Sequence, residues 1–253
     1  MFRRVLPVDA SIVVDVESAV VSYRPAAGEE RSTPAAKISL EALLRASPWR
    51  TFRSYSGQLH YPGTYWSSTQ RGHVIYESRL ELANLLLADY DQGVREISAQ
   101  PFLLRVAVEG RVRPHIPDYL FNGDGGPVVV DVVRRERMLN PKIRFLCAWT
   151  RQVIERMGWT YRVVHEPDPV QLANVRFLAG YRRDWLMNQE ILAVLRAQPR
   201  AFAGSTIVDT EAALAQFPKQ LVRPALLNLL WRREYEVDIS GPLRPSSVLE
   251  MKK

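Results

Sequence analysis

Two aspartates flank a strong turn. Asp118 lies in the short apolar run HIPDYLF, and Asp131 lies in VVVDVV, with NGDGGP between them. An Asn-Gly, Asp-Gly or Gly-Gly turn between β-prone runs marks an antiparallel hairpin. A hairpin here brings the two carboxylates together. Like charges at close range are costly unless a proton or a cation neutralises one of them. Mg²⁺ is bound by one or two carboxylates plus water and substrate phosphate, and such a metal activates water against a phosphodiester. Glu81, or Glu77 four residues before it, supplies a further acid from an upstream helical run. A strand Asp is commonly only an edge or hydrogen-bonded residue. Asp131 is the more telling of the pair, because an apolar β-branched run has little use for an acid.

The other chemically capable residues are weaker signals. Arg134, Arg135, Arg137, Lys142 and Arg144 follow the Asp131 strand, either as a grip on a phosphate backbone or as the solvated start of a helix. His60, His73, His115 and His165 form no metal-binding pattern, although His115 stands three residues before Asp118. Cys147 sits in an apolar helical context and reads as a core thiol. Glu166 and Asp168 flank Pro167 and read as caps of the next helix. The aromatic stretch from Trp49 to Trp66, with Arg50, Arg53 and Arg71, is a hairpin core or a stacking surface for nucleic acid.

Several elements must position these groups. SIVVDVESAVVSY reads as a strand pair, 22–37 as a loop or linker, and SLEALLRA as a short helix capped near Ser39. A hairpin is expected over 49–68, turning at Gly57 or Pro62-Gly63, and one helix over 74–90. FLLRVAVEG, HIPDYLF and VVVDVV follow as strands, the last buried on both faces. A helix over 140–158 opens at Asn140-Pro141 and closes at Gly158, and WTYRVVHEP is a further strand. From Asp168 the chain turns helical and ends in YEVDISGPLRPSSVLEM, two strands around Gly241-Pro242. That order matches a winged helix-turn-helix whose recognition helix carries Lys219, Arg223, Arg232 and Arg233. Pro224 suggests that this helix starts late.

The 253 residues suit two domains, and 47% apolar content supports a core. No run is long enough to cross a membrane, the first residues do not read as a signal peptide, and a single cysteine fits a reducing cytoplasm. The net charge of +7 permits nucleic-acid binding. Residues 73–168 carry 13 basic and 13 acidic side chains, so the excess lies in 1–72 and 169–253.

YESRLELANLL, VREISAQPFLL, HIPDYL, VVVDVV and GWTYRVVHEPDP, in this order between Gly72 and Pro167, resemble the TnsA-like family, the endonuclease subunit of heteromeric transposases. The resemblance implies a restriction-endonuclease-like fold: a mixed α/β sheet flanked by helices, followed by the winged-helix domain. It divides the chain into an N-terminal segment (1–72), an endonuclease domain (73–168) and a C-terminal domain (169–253). It places Glu81, Asp118 and Asp131 as catalytic metal ligands for Mg²⁺ or Mn²⁺. The position where the family has lysine is Val133, which can neither orient water nor offset charge; Arg134 and Lys142 are the candidate substitutes. Double-stranded DNA, gripped by Arg134, Arg135, Lys219, Arg223, Arg232 and Arg233, is the implied substrate. A DDE-type transposase subunit and an ATPase regulator are the implied partners. The competing expectations are a nuclease-fold binding module without catalysis and a transcription regulator built on the winged helix.

Overall fold

The computed structural model describes residues 12–50 and 62–251. They fall into two compact units, one running up to Asn84 and resuming over Gly93–Glu166, the other formed by Leu85–Gln92 and the chain from Pro167 onward. Most of the expected middle domain (73–168) shares the first unit with the expected N-terminal segment, while its residues 85–92 and 167–168 belong to the second. Among the described residues no helix is long and apolar enough to cross a membrane.

The first unit is mixed α/β, with antiparallel and mixed sheets flanked by helices. In chain order it contains β1 (Val14–Tyr23), β2 (Arg31–Pro34), α1 (Leu40–Leu44), β3 (Gly63–Ser67), β4 (Gly72–Tyr76) and the start of α2 (Arg79–Tyr90). There follow β5 (Val94–Ala99), β6 (Leu103–Val108), β7 (Arg111–His115), β8 (Tyr119–Gly123), β9 (Val128–Val132), α3 (Pro141–Arg156) and β10 (Thr160–Val164). One sheet has the order β2-β1-β6-β7, all antiparallel. The other has the order β10-β9-β8-β5, with β10 parallel to β9 and the remaining pairs antiparallel. A parallel pair needs a crossover, and α3 supplies it between β9 and β10. Asn140 caps α3 by accepting from the Lys142 N–H at 2.9 Å. Ala19, Val21, Leu43, Phe102, Leu104, Leu120, Val129, Trp149, Ile154 and Tyr161 form a common core from both sheets, α1 and α3.

The structure departs from the sequence reading in several places. Within SIVVDVESAVVSY, Val14–Tyr23 form one strand, β1, rather than a pair. Its register against β6 slips between Asp15 and Val20, which explains its weak alternation. The expected linker 22–37 contains β2, paired along β1. Of the hairpin expected over 49–68, residues 51–61, with the Gly57 turn and His60, lie outside the described residues. Gly63–Ser67 instead pairs with β4 across a turn in which Arg71 adopts φ +50°. Val74–Tyr76, expected at the start of the long helix, belongs to that strand, and α2 begins at Arg79. Gly123 approaches Gly93 so closely that a Cβ on it would lie 1.8 Å from the Gly93 carbonyl oxygen, so only glycine fits where β8 passes the start of β5.

The second unit is mainly helical. It contains the end of α2, then α4 (Pro169–Leu178), α5 (Gln189–Ala197), α6 (Pro199–Phe202), α7 (Ile207–Ala213) and α8 (Lys219–Trp231), with β11 (Tyr235–Glu236) paired to β12 (Glu250–Met251). α8 runs through Pro224 instead of starting there. Val222 and every residue from Ala225 to Trp231 are buried on it, and that burial outweighs the one hydrogen bond that proline removes. The terminal strands pair over only two residues each. The Gly241-Pro242 region is held by Asn174, whose Nδ2 donates to the carbonyls of Ile239 (3.0 Å) and Gly241 (2.7 Å).

Candidate acid site

The β8–β9 ladder pairs Tyr119 with Val130, and the same register continued by one residue sets Asp118 opposite Asp131. Asp118 stands in the link after β7, one residue ahead of β8, not within a strand. The Val132 N–H donates to its Oδ2 at 2.6 Å. Burial pushes the Asp118 carboxyl well above the usual carboxylate range, and the negative charges of Asp131 and then Glu81 push it further; the Val132 N–H opposes them. These three acids therefore share one electrostatic neighbourhood.

Asp131 is 4% exposed in the middle of β9's apolar run. Its Oδ2 accepts from His115 Nε2 at 2.8 Å and from the Tyr161 hydroxyl. The His115 ring meets Trp149 edge-on, with centroids 6.0 Å apart. Burial and then the Asp131 charge raise the Tyr161 phenol well above its ordinary value and push the Cys147 thiol up to about 11. Cys147 is thus a protonated core thiol. The buried acid has a structural partner set that its strand context did not reveal: a histidine from β7 and a tyrosine from β10.

Glu81 lies in the first turn of α2. Its Oε1 accepts from the Ser78 hydroxyl (2.8 Å) and its Oε2 from the Glu77 N–H (2.7 Å), while the Glu81 N–H donates to Ser78 Oγ (3.2 Å). Ser78-Arg79-Leu80-Glu81 has the capping-box spacing, a sequence signature that could have been read directly, with the Ser78 hydroxyl taking the Glu81 N–H and the Glu81 side chain reaching one residue further back, to the Glu77 N–H. Glu77 precedes the helix. Its Oε1 accepts from Gln100 Nε2 and, at 3.4 Å, from Arg50. Tyr119 is fully buried, its hydroxyl has no hydrogen-bond partner among the described residues, and burial followed by the charges of Glu81 and Asp118 raises its phenol well above normal.

The oxygen donors of Asp118 and Glu81 suit a hard divalent cation, whose charge would relieve their mutual repulsion. Two donors converge on Asp131 Oδ2, and each Glu81 carboxylate oxygen takes one, so an ion here would share these carboxylates with their hydrogen bonds. Among the described residues no group of three or more His, Cys, Asp or Glu side chains closes into a metal-holding set.

Val133 packs against the apolar core, on the side of β9 that Asp131 faces. Its N–H donates to Val164 (2.9 Å), and its carbonyl accepts from His165 Nδ1 (2.6 Å). The β9–β10 ladder runs without a register shift through Val132, so no bulge within it turns Arg134 toward Asp131. Arg134, Arg135, Arg137, Lys142 and Arg144 are all exposed. The Arg135 N–H donates to Glu166 (3.0 Å), which lowers that carboxyl's pKa, and Asp168 caps α4 by accepting from Val170 and Gln171 (2.9 Å each).

In the second unit three of the four basic residues of the expected recognition helix are paired within the protein, and two of them, Arg232 and Arg233, follow α8, which ends at Trp231, rather than lying on it. Arg223 makes two bonds to buried Glu211 (2.5 and 2.8 Å). Arg232 pairs with Asp184 (3.1 Å), and Arg233 pairs with Glu236 (2.7 Å) and lies over the Tyr90 ring. Lys219 opens α8 and is exposed. Comparison of the sequence with protein-family models and with curated proteins found no match in either.

Proposed function

We propose that the chain is a divalent-metal-dependent DNA endonuclease of the TnsA-like, restriction-endonuclease-like type, hydrolysing one strand at a transposon end. The observation that carries this reading is the β8–β9 register, which sets Asp118 against Asp131 while Glu81 acts on the same carboxyl. The succession of α2, the Asp118 link, β8, the Asp131-bearing β9, α3 and β10 supports it. Asp118 and Glu81 would hold Mg²⁺ or Mn²⁺, with Asp131 beside them. The bound ion supplies an activated water and offsets charge on the leaving oxygen. Arg134, Arg135 and Lys142, exposed after β9, would meet phosphates. A DDE-type transposase subunit and an ATPase regulator are the proposed partners, and a winged-helix role for the C-terminal region belongs to the same reading.

A second reading is a nuclease scaffold that binds DNA without cutting it. Two observations favour it: Val133 is packed in the core, and Asp131 is satisfied by His115 and Tyr161. Calorimetry with Mg²⁺ and Mn²⁺, with and without a duplex, combined with a nicking assay, separates the readings. Metal binding and nicking that are both lost in Asp118→Ala support the enzyme. Binding without nicking, with nicking gained in Val133→Lys, supports the impaired scaffold. No metal binding, even with DNA, removes the nuclease reading.

A further inference from the structure

Gln100 stands where β5 ends, 4% exposed and at φ +47°. Left-handed backbone is uncommon for a non-glycine residue and concentrates where surrounding structure enforces it, often at functional sites. Here the enforcement is visible. The Gln100 N–H donates to the Asp118 carbonyl at 2.8 Å, continuing the β5–β8 ladder one step past the Ala99–Tyr119 pair. Its carbonyl accepts from the Trp49 N–H (2.9 Å), and its Oε1 accepts from the Arg50 N–H (3.1 Å). Its Nε2 donates to the Glu77 carboxylate.

These bonds join two acids that come from separate elements. From Asp118 the path runs through the Gln100 backbone and side chain to the Glu77 carboxylate. The Glu77 N–H in turn donates to Glu81 Oε2 at 2.7 Å. The chain Asp118–Gln100–Glu77–Glu81 is therefore continuous, and Gln100 is the member that crosses from strand to helix start. We infer that Gln100 is a positioning residue that sets the placement of Asp118 relative to Glu81, and so the shape of the acid site. The inference rests on the metal-dependent reading above. It adds a residue that neither touches the ion nor reacts. The left-handed turn is part of the device, because it lets one residue bond Asp118 with its backbone and Glu77 with its side chain.

Gln100→Asn tests this directly. Asparagine tolerates left-handed backbone but is one methylene too short to reach Glu77. Gln100→Gly relaxes the backbone entirely and removes the side chain, so it provides a variant that folds if Asn does not. In the full chain, Mn²⁺ calorimetry on both variants is expected to show about a tenfold weaker dissociation constant, the scale on which groups behind metal ligands act. The Mn²⁺ concentration for half-maximal nicking should rise in the same ratio, and the rate at saturating Mn²⁺ should return toward wild type. A merely structural glutamine would change the melting temperature and leave Mn²⁺ affinity alone, and that result overturns the inference while the nuclease reading stands. If wild type itself neither binds Mn²⁺ nor nicks, the nuclease reading fails and this role falls with it.

Discussion

Asp118 is the residue whose environment asks most of it. Its carboxyl is desolvated and faces the charges of Asp131 and Glu81, with one backbone N–H in compensation. A carboxyl raised in the folded state stabilises the fold only at low pH. Below about 4, the ordinary aspartate value, it is protonated folded or unfolded. As pH rises from there toward the raised folded value, the unfolded chain ionises first and stability falls. Asp118→Asn keeps an acceptor for the Val132 N–H and never ionises. Its melting temperature is therefore expected to exceed wild type at pH 7–8, with the gap closing toward pH 4. Saturating Mn²⁺ should raise the wild-type melting temperature and leave Asp118→Asn unmoved. A gap independent of pH would show that repulsion is not its source. Asp131 accepts from two side-chain donors. Tyr161→Phe removes one of its two donors and leaves His115, and is expected to cost about 1.5–3 kcal/mol in urea unfolding, the scale for a hydrogen bond to a charged group.

Among the elements, the start of α2 joins stability to the site. Ser78→Ala removes both bonds of its hydroxyl with Glu81. The expected loss is about 1 kcal/mol in urea unfolding, as for other capping serines, accompanied by weaker Mn²⁺ binding because the Glu81 carboxylate loses a donor that orients it. An unchanged Mn²⁺ affinity would mean that the cap serves the helix alone. The same elements show what was legible in the sequence. The turn NGDGGP and the β-branched run after it announced the β8–β9 hairpin, because local turn chemistry and strand register depend on few residues. The α3 boundaries were legible for the same reason, through Asn140-Pro141 and Gly158. The partners of Asp131 were not, since His115 and Tyr161 reach it from β7 and β10, and no local pattern encodes that convergence. Val74–Tyr76 read as helix because its apolar spacing suits either period, and only the distant pairing with Gly63–Ser67 decides it. Gln100 carries no signature, because left-handed glutamine is a product of tertiary bonds rather than of propensity.

At the scale of the whole molecule, the net charge of +7 is distributed unevenly in a way that composition conceals. In the first unit Arg134, Arg135 and Lys142 are exposed along one short stretch. In the second unit Arg223 and Arg232 are bound to Glu211 and Asp184. Exposed cations free to neutralise phosphates release counterions from DNA, and each such contact contributes about −0.9 to the salt slope of the binding constant. Paired arginines have already spent that capacity within the protein. The triple variant Arg134→Ala/Arg135→Ala/Lys142→Ala is therefore expected to flatten the slope of log K against log[salt] by about 2–3, with duplex affinity read by fluorescence anisotropy. Arg223→Ala is expected to leave that slope nearly unchanged and to lower stability by about 1–3 kcal/mol instead, because it strands the Glu211 carboxylate, only 5% exposed. The opposite pattern would move the DNA surface to the second unit, with a flattened slope in Arg223→Ala and none in the triple variant. α8 would then have to release its ion pairs on binding, and the recognition-helix reading of its basic residues would be restored.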